Sequence, residues 1–127
     1  MALLVFIARL LFSVIFITSG ISHFTQIEGM GQYAGSQGVP APKFMVGFSG
    51  LMILLGGLSV LLGAYAKIGT LMLILFLIPA AFMMHNFWAV EDPNMKQVQQ
   101  AHFMKNMALA GAAFLIWYFG TGPWSLM

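Results

Sequence analysis

The chain has 127 residues, 61% of them hydrophobic and 6% charged, with a net charge of +2 from five basic and three acidic side chains. Soluble domains carry about 25% charged residues, so a chain this small and apolar needs lipid rather than water as its solvent. The few charges form no basic stripe, which excludes a nucleic-acid partner, and the absence of cysteine excludes disulfides, iron–sulfur clusters, thiolate zinc sites and covalent haem attachment.

Four apolar runs follow one another, which predicts an all-α integral membrane protein, a four-helix antiparallel bundle in a single domain. The first run, Leu3 to Phe24, exceeds the length of a signal-peptide core and no basic segment precedes it, so it reads as a retained span. Within it Arg9, Ser13, Phe16, Gly20 and His23 recur at helical spacing on one face. That polar, small-residue face is expected to look inward. Arg9 lies four turns from His23, roughly 20 Å away. Its role is structural, either snorkelling to its own interface or binding carbonyls of a neighbouring span.

A short interfacial helix is expected over Ile27 to Gln37, with Ile27, Met30 and Ala34 on its apolar side. Gly38 stands at its C′ position, and Pro40 and Pro42 stop it. The second span covers about residues 44–63, with Ser49, Gly56 and Gly63 as a small-residue stripe suited to close helix approach. Ala64 to Lys67 is too short for anything but an antiparallel turn into the third span, about 68–88. Pro79 lies inside that span, and Phe87 and Trp88 read as interfacial aromatics. Asp92 and Pro93 form an N-cap and N1 pair for the last helix, which runs to about Phe119 and enters the apolar region near His102.

In this topology His23 ends the first span, His85 ends the third and His102 opens the fourth, all at one side. Lys105 and Asn106 lie one turn inside His102. Polar groups at membrane depth are costly, so such a cluster marks a functional site. The expected ligand site is His23, His85, Lys105 and Asn106, with His102 and Trp88 beside them. The start of the last helix favours anionic groups electrostatically. No metal site is expected, because no carboxylate supports the histidines. Haem ligation by His23 and His85 is disfavoured for the same reason and because both sit at helix ends. Glu28, Glu91 and Asp92 all fall in connecting or interfacial segments, which argues against an ion-coupled transporter.

The chain resembles the DoxX family of small four-helix membrane proteins over nearly its whole length. The resemblance rests on Arg9, on Ser19-Gly20 with His23-Phe24, and on Tyr33-Ala34 followed by Gly38-Val39-Pro40-Ala41-Pro42. It continues through Gly56-Gly57 to Gly63, His85 with Phe87-Trp88, and Phe103 to Gly111, the last being the most specific stretch. It departs at Met52, Ile53 and Leu54, where many members carry an acid. The resemblance implies association with membrane redox systems, such as the small subunits of thiosulfate:quinone oxidoreductase.

Together these readings predict a small subunit of the bacterial inner membrane that binds a quinone or similar amphipathic molecule near one interface. No intrinsic cofactor is expected, and electrons come from a partner. Phe87 and Trp88 would flank the ring. The alternative is a non-catalytic accessory subunit that packs on a larger membrane complex, or on a second copy of itself, or binds a lipid headgroup.

Overall fold

The computed structural model describes residues Met1–Met127. It is all-α, with five helices: α1 (Ala2–Thr25), α2 (Ile27–Ser36), α3 (Pro42–Leu62), α4 (Ala66–Met84) and α5 (Pro93–Phe119). A 3₁₀ turn, Phe87–Ala89, joins α4 to α5. Three stretches are long and apolar enough to cross a membrane: Ala2–Thr25, Pro42–Leu62 and Ala66–Ala89. α5 is longer, but its first half carries Lys96, Lys105 and several glutamines.

The stops and starts follow local chemistry. Asp92 caps α5 by accepting a hydrogen bond from the Asn94 N–H (3.0 Å), with Pro93 next in line. α2 ends as its glycine requires: Gly38 adopts φ +86°, and Val39 N–H folds back to the Ala34 carbonyl. α4 ends earlier than its apolar run suggests. Its last residue is Met84, and the chain turns at His85 and Asn86 before the 3₁₀ turn. The third apolar run is therefore a helix plus a turn, not one helix to Trp88.

α1 packs on α3, α3 on α4, and α4 on α5, while α2 lies mainly against α3. The buried face of α1 consists of Arg9, Ser13, Phe16, Gly20 and His23, the five residues its periodicity singled out. The core joins Phe16 of α1, Ile53 and Val60 of α3, Leu73 and Leu77 of α4, and Ala110 and Ala113 of α5.

The small residues of α3 are spent inside the molecule. A Cβ on Gly50 would meet His23, and one on Gly57 would meet Phe16 and Ile17 of α1. The adjacent Gly56 instead faces Leu73 and the Gly69 carbonyl of α4. The contact stripe is thus Gly50, Gly56 and Gly57. Ser49 borders a cavity, and Gly63 is the left-handed residue that ends α3 at φ +68°. The seven-residue spacing of Ser49, Gly56 and Gly63 mixes these three environments.

Candidate functional site

The polar residues separate into two groups at opposite ends of the helices. At the end holding the N-terminus, the α3–α4 turn and the C-terminal tail, Arg9 is 4% exposed and fully engaged at its two terminal nitrogens. Nη1 donates to the carbonyls of Thr121 and Pro123 (2.9 Å each) and to Ser125 Oγ (2.7 Å). Nη2 donates to the carbonyls of Leu61 and Trp124 (2.9 Å each). Its partners come from α3 and from the irregular tail, whose carbonyls have no helix donors. Trp124 is held at φ +60°, which turns its carbonyl toward the guanidinium. Phe6 covers one side of the cation at 5.4 Å. Of the two expectations for Arg9, carbonyl binding is the one observed. This is a structural clamp.

At the other end lies a cavity of about 770 Å³. Helices α2, α3 and α4 wall it with apolar groups, chiefly methionines, Phe48, Phe76 and Pro79, while α1 adds Ser19 and His23 and α5 adds Lys105 and Asn106. His23, His85, Lys105 and Asn106 all line this one space. The sequence places them at four points scattered over more than half the chain, and the fold brings them together.

Each of these side chains has a defined hydrogen-bonding state. His23 is 7% exposed, and its Nδ1 donates to the Ser19 carbonyl (2.7 Å). A carbonyl only accepts, so the neutral ring is the Nδ1–H tautomer and Nε2 is left as an acceptor. Phe76 meets the His23 ring edge-on at 5.8 Å. His85 is held from the α5 side, its Nδ1 donating to Gln99 Oε1 (2.7 Å). Asn106 is 4% exposed, yet its side-chain amide has no partner in the protein. Lys105 likewise has no carboxylate partner, since the sole ion pair joins Lys43 to Glu28 (2.8 Å) at the surface. Buried polar groups are nearly always bonded. The fully buried side-chain atoms without a partner are Arg9 Nε and Ser13 Oγ; the Asn106 amide instead opens on the cavity wall beside the exposed Lys105.

Two of the expected residues do not line the cavity. His102 is exposed and stacks on His85 with ring centroids 5.0 Å apart. Trp88 is 53% exposed and packs with Phe82, Phe87 and Phe103 in an aromatic cluster outside the space. The early end of α4 explains this: the chain has already turned away at His85, so neither Phe87 nor Trp88 reaches a ligand ring in the cavity.

Sequence reasoning also missed two contributors. Tyr33 of α2 lines the cavity and donates its hydroxyl to the Met84 carbonyl (2.7 Å), tying α2 across to the last turn of α4. Gln99 orients His85. It stands three residues before His102, on the same side of α5, and that spacing was the available signal.

With this geometry in place, comparison with known proteins decides the family. The family model for DoxX matches residues 4–86, from α1 to the end of α4. The inner membrane protein YqjF of Escherichia coli (strain K12) is 32% identical over 122 residues, covering 96% of this chain and 88% of its own length. The chain belongs to the DoxX family. A second relative, the inner membrane protein YphA of the same organism, is 28% identical over 127 residues, covering 97% of this chain and 87% of its own length. The family model stops short of α5, so the Phe103 to Gly111 stretch lies outside it, while both relatives extend over nearly all of this chain. No solved structure matches the chain significantly. With three stretches able to span a membrane and two inner-membrane relatives, this DoxX member is an integral protein of the inner membrane.

Proposed function

We propose that this DoxX protein is a small membrane subunit of a redox system, and that its cavity binds a quinone or similar amphipathic molecule. In this reading α5 also crosses the bilayer. α1, α3, α4 and α5 then form a four-helix antiparallel bundle, with α2 lying at the interface above the cavity.

The observation that carries the reading is the contrast inside one space: mostly apolar walls, interrupted by an unbonded amide, an unpaired ammonium and a histidine acceptor nitrogen. A quinone carries electrons and protons between partners within the membrane. Its carbonyl oxygens only accept, which suits Lys105 and Asn106. Its reduced form carries hydroxyls that donate, which suits Nε2 of His23. Lys105 offsets negative charge gained on reduction, and no carboxylate lining the cavity opposes it. The electrons come from a partner protein of the complex.

The test is extraction and rebinding. Protein purified gently and extracted with organic solvent is expected to yield quinone near one equivalent. Lys105→Ala and Asn106→Leu are each expected to weaken retention about tenfold, the loss of one charged or well-placed hydrogen bond. A wild-type protein that holds no quinone after reconstitution with an excess overturns the proposal.

A second reading, an accessory subunit packing on a larger complex or on another copy, is supported by one feature. Met104, Ala108, Gly111, Leu115 and Tyr118 form an exposed stripe along α5, and nothing lies within 4 Å of a Cβ built on Gly111. Small residues on an open face let a further helix approach. Native electrophoresis of the solubilised membrane decides: migration with a larger assembly that persists in Lys105→Ala favours the accessory role.

A further inference from the structure

We infer that the cavity is loaded sideways from the bilayer, through a slot between α3 and α4, and that its ligand is therefore a lipid-dissolved molecule whose apolar tail stays in that slot. The inference rests on the quinone-like reading for the head and adds where the tail lies.

Near their connecting turn α3 and α4 touch closely, Gly56 against Leu73 and the Gly69 carbonyl. From Met52 and Leu75 onward, both helices instead supply walls of the cavity. Four of those wall residues also belong to the outer surface: Met45 is 39% exposed, Phe48 52%, Leu75 55% and Met83 42%. A side chain that lines a cavity and also faces the outside marks a mouth. On these stretches the outside is lipid, because both helices are long and apolar enough to span.

The cavity has a second opening on the α2 side, where the lining residues Gln26, Gly29, Tyr33 and Pro40 are exposed as well, and Lys105 of α5 is also exposed; the slot is the opening that faces lipid. α1 closes one flank through His23 against Gly50. α5 contributes Lys105 and Asn106 opposite, and α2 lies over the end, tied to Met84 by Tyr33. A water-soluble molecule would meet α2 first, whereas a lipid-dissolved one meets the slot. The slot's chemistry agrees. Methionine on both lips is flexible and adapts to irregular apolar shapes, which suits a long tail better than a rigid ring. The unbonded Asn106 amide and the Lys105 ammonium stand on the α5 side of the cavity, so a head there and a tail in the slot are accommodated together.

The probe is a benzoquinone with an isoprenoid tail carrying a photoreactive diazirine, incorporated with the full chain in lipid nanodiscs. Labelling is expected on the α3 and α4 peptides that contain Phe48, Met52, Leu75 and Met83, and excess unlabelled tailed quinone is expected to suppress it at least tenfold. Competable labelling concentrated on α1, α2 or α5 overturns the slot while leaving a quinone site in place. Labelling that no competitor suppresses overturns the quinone reading and the slot with it. An independent arm uses Ala80→Trp, which narrows the slot from α4, with Phe48→Trp as the second variant should the first not fold. A tenfold or greater loss of affinity for the tailed quinone, with less than a threefold loss for a tail-less benzoquinone, supports the slot. Equal losses for both, or no loss for either in a folded variant, overturn it.

Discussion

The two ends of the molecule treat polar side chains in opposite ways. At one end a single cation, Arg9, makes five hydrogen bonds and is sealed from its surroundings. At the other, Lys105 has no carboxylate partner and the side chain of Asn106, which is 4% exposed like Arg9, makes no hydrogen bond within the protein. Both residues would be flagged by the same rule, that polarity at membrane depth is costly and therefore meaningful. Partner count separates their meanings. Arg9 gathers the chain around its two terminal nitrogens, leaving only its buried Nε without a partner, whereas the Asn106 amide opens on a cavity and would be free to bind a molecule under the proposed function.

Three substitutions sharpen or break this contrast. The largest effect is expected from Arg9→Leu. It strips donors from four backbone carbonyls and a serine hydroxyl, and hydrogen bonds to charged groups contribute about 1.5–3 kcal/mol each. The expected loss exceeds about 3 kcal/mol, even after water or lipid headgroups recover some of the bonds. Thermal unfolding in detergent checks it, and a variant as stable as the wild type would show that the clamp is incidental.

Gly50→Ala is next. Its new Cβ would stand 2.5 Å from the His23 Cβ, so α1 and α3 must separate. Overpacking of this kind costs about 1–3 kcal/mol. Because His23 lines the cavity, the same variant is expected to lose quinone retention as well as stability. Loss of stability with retention intact would place His23 outside the site.

The smallest effect on stability belongs to Asn106→Leu. Replacing a cavity-lining amide that has no protein partner with an apolar group of similar size breaks no hydrogen bond within the protein, so stability is expected to stay within about 1 kcal/mol or to rise. A drop of the size expected for Arg9→Leu would mean that Asn106 is structural after all, and the contrast between the ends would fall.

Much of this was readable before the fold was known, for reasons that differ by residue. The inward face of α1 was legible because Arg9, Ser13, Phe16, Gly20 and His23 share one helical phase, and phase survives in sequence. The start of α5 was legible because an N-cap is a local device, and Asp92 with Pro93 is enough to recognise it. The convergence of His23, His85, Lys105 and Asn106 followed from counting spans and noting which ends meet.

Other features left no local trace. The partners of Arg9 are backbone carbonyls, which every residue carries, so nothing in Thr121, Pro123 or Trp124 announces the role. Gly56 and Gly57 are neighbours in sequence but meet different helices, and a seven-residue stripe cannot express that. Trp88 was misplaced because hydropathy runs on past Met84 while the helix does not. Apolar composition records solubility in lipid, not hydrogen bonding along the backbone.

The two adjacent glycines have a mechanical consequence. Where Gly56 meets α4, the approach is set by the backbone carbonyl of Gly69 as well as by Leu73. Backbone does not change rotamer, so the Gly69 carbonyl limits how closely α3 and α4 approach here, and any change in their splay would turn about this close contact. From Gly56 to Met45 at the cavity mouth is a lever of roughly 16 Å. A rotation of about 5° at the pivot moves the far wall by roughly 1.5 Å on that lever, close to the reach of one methyl group. The width of the cavity between α3 and α4 would then be governed by an angle at the closed end of the molecule, far from the residues that line it.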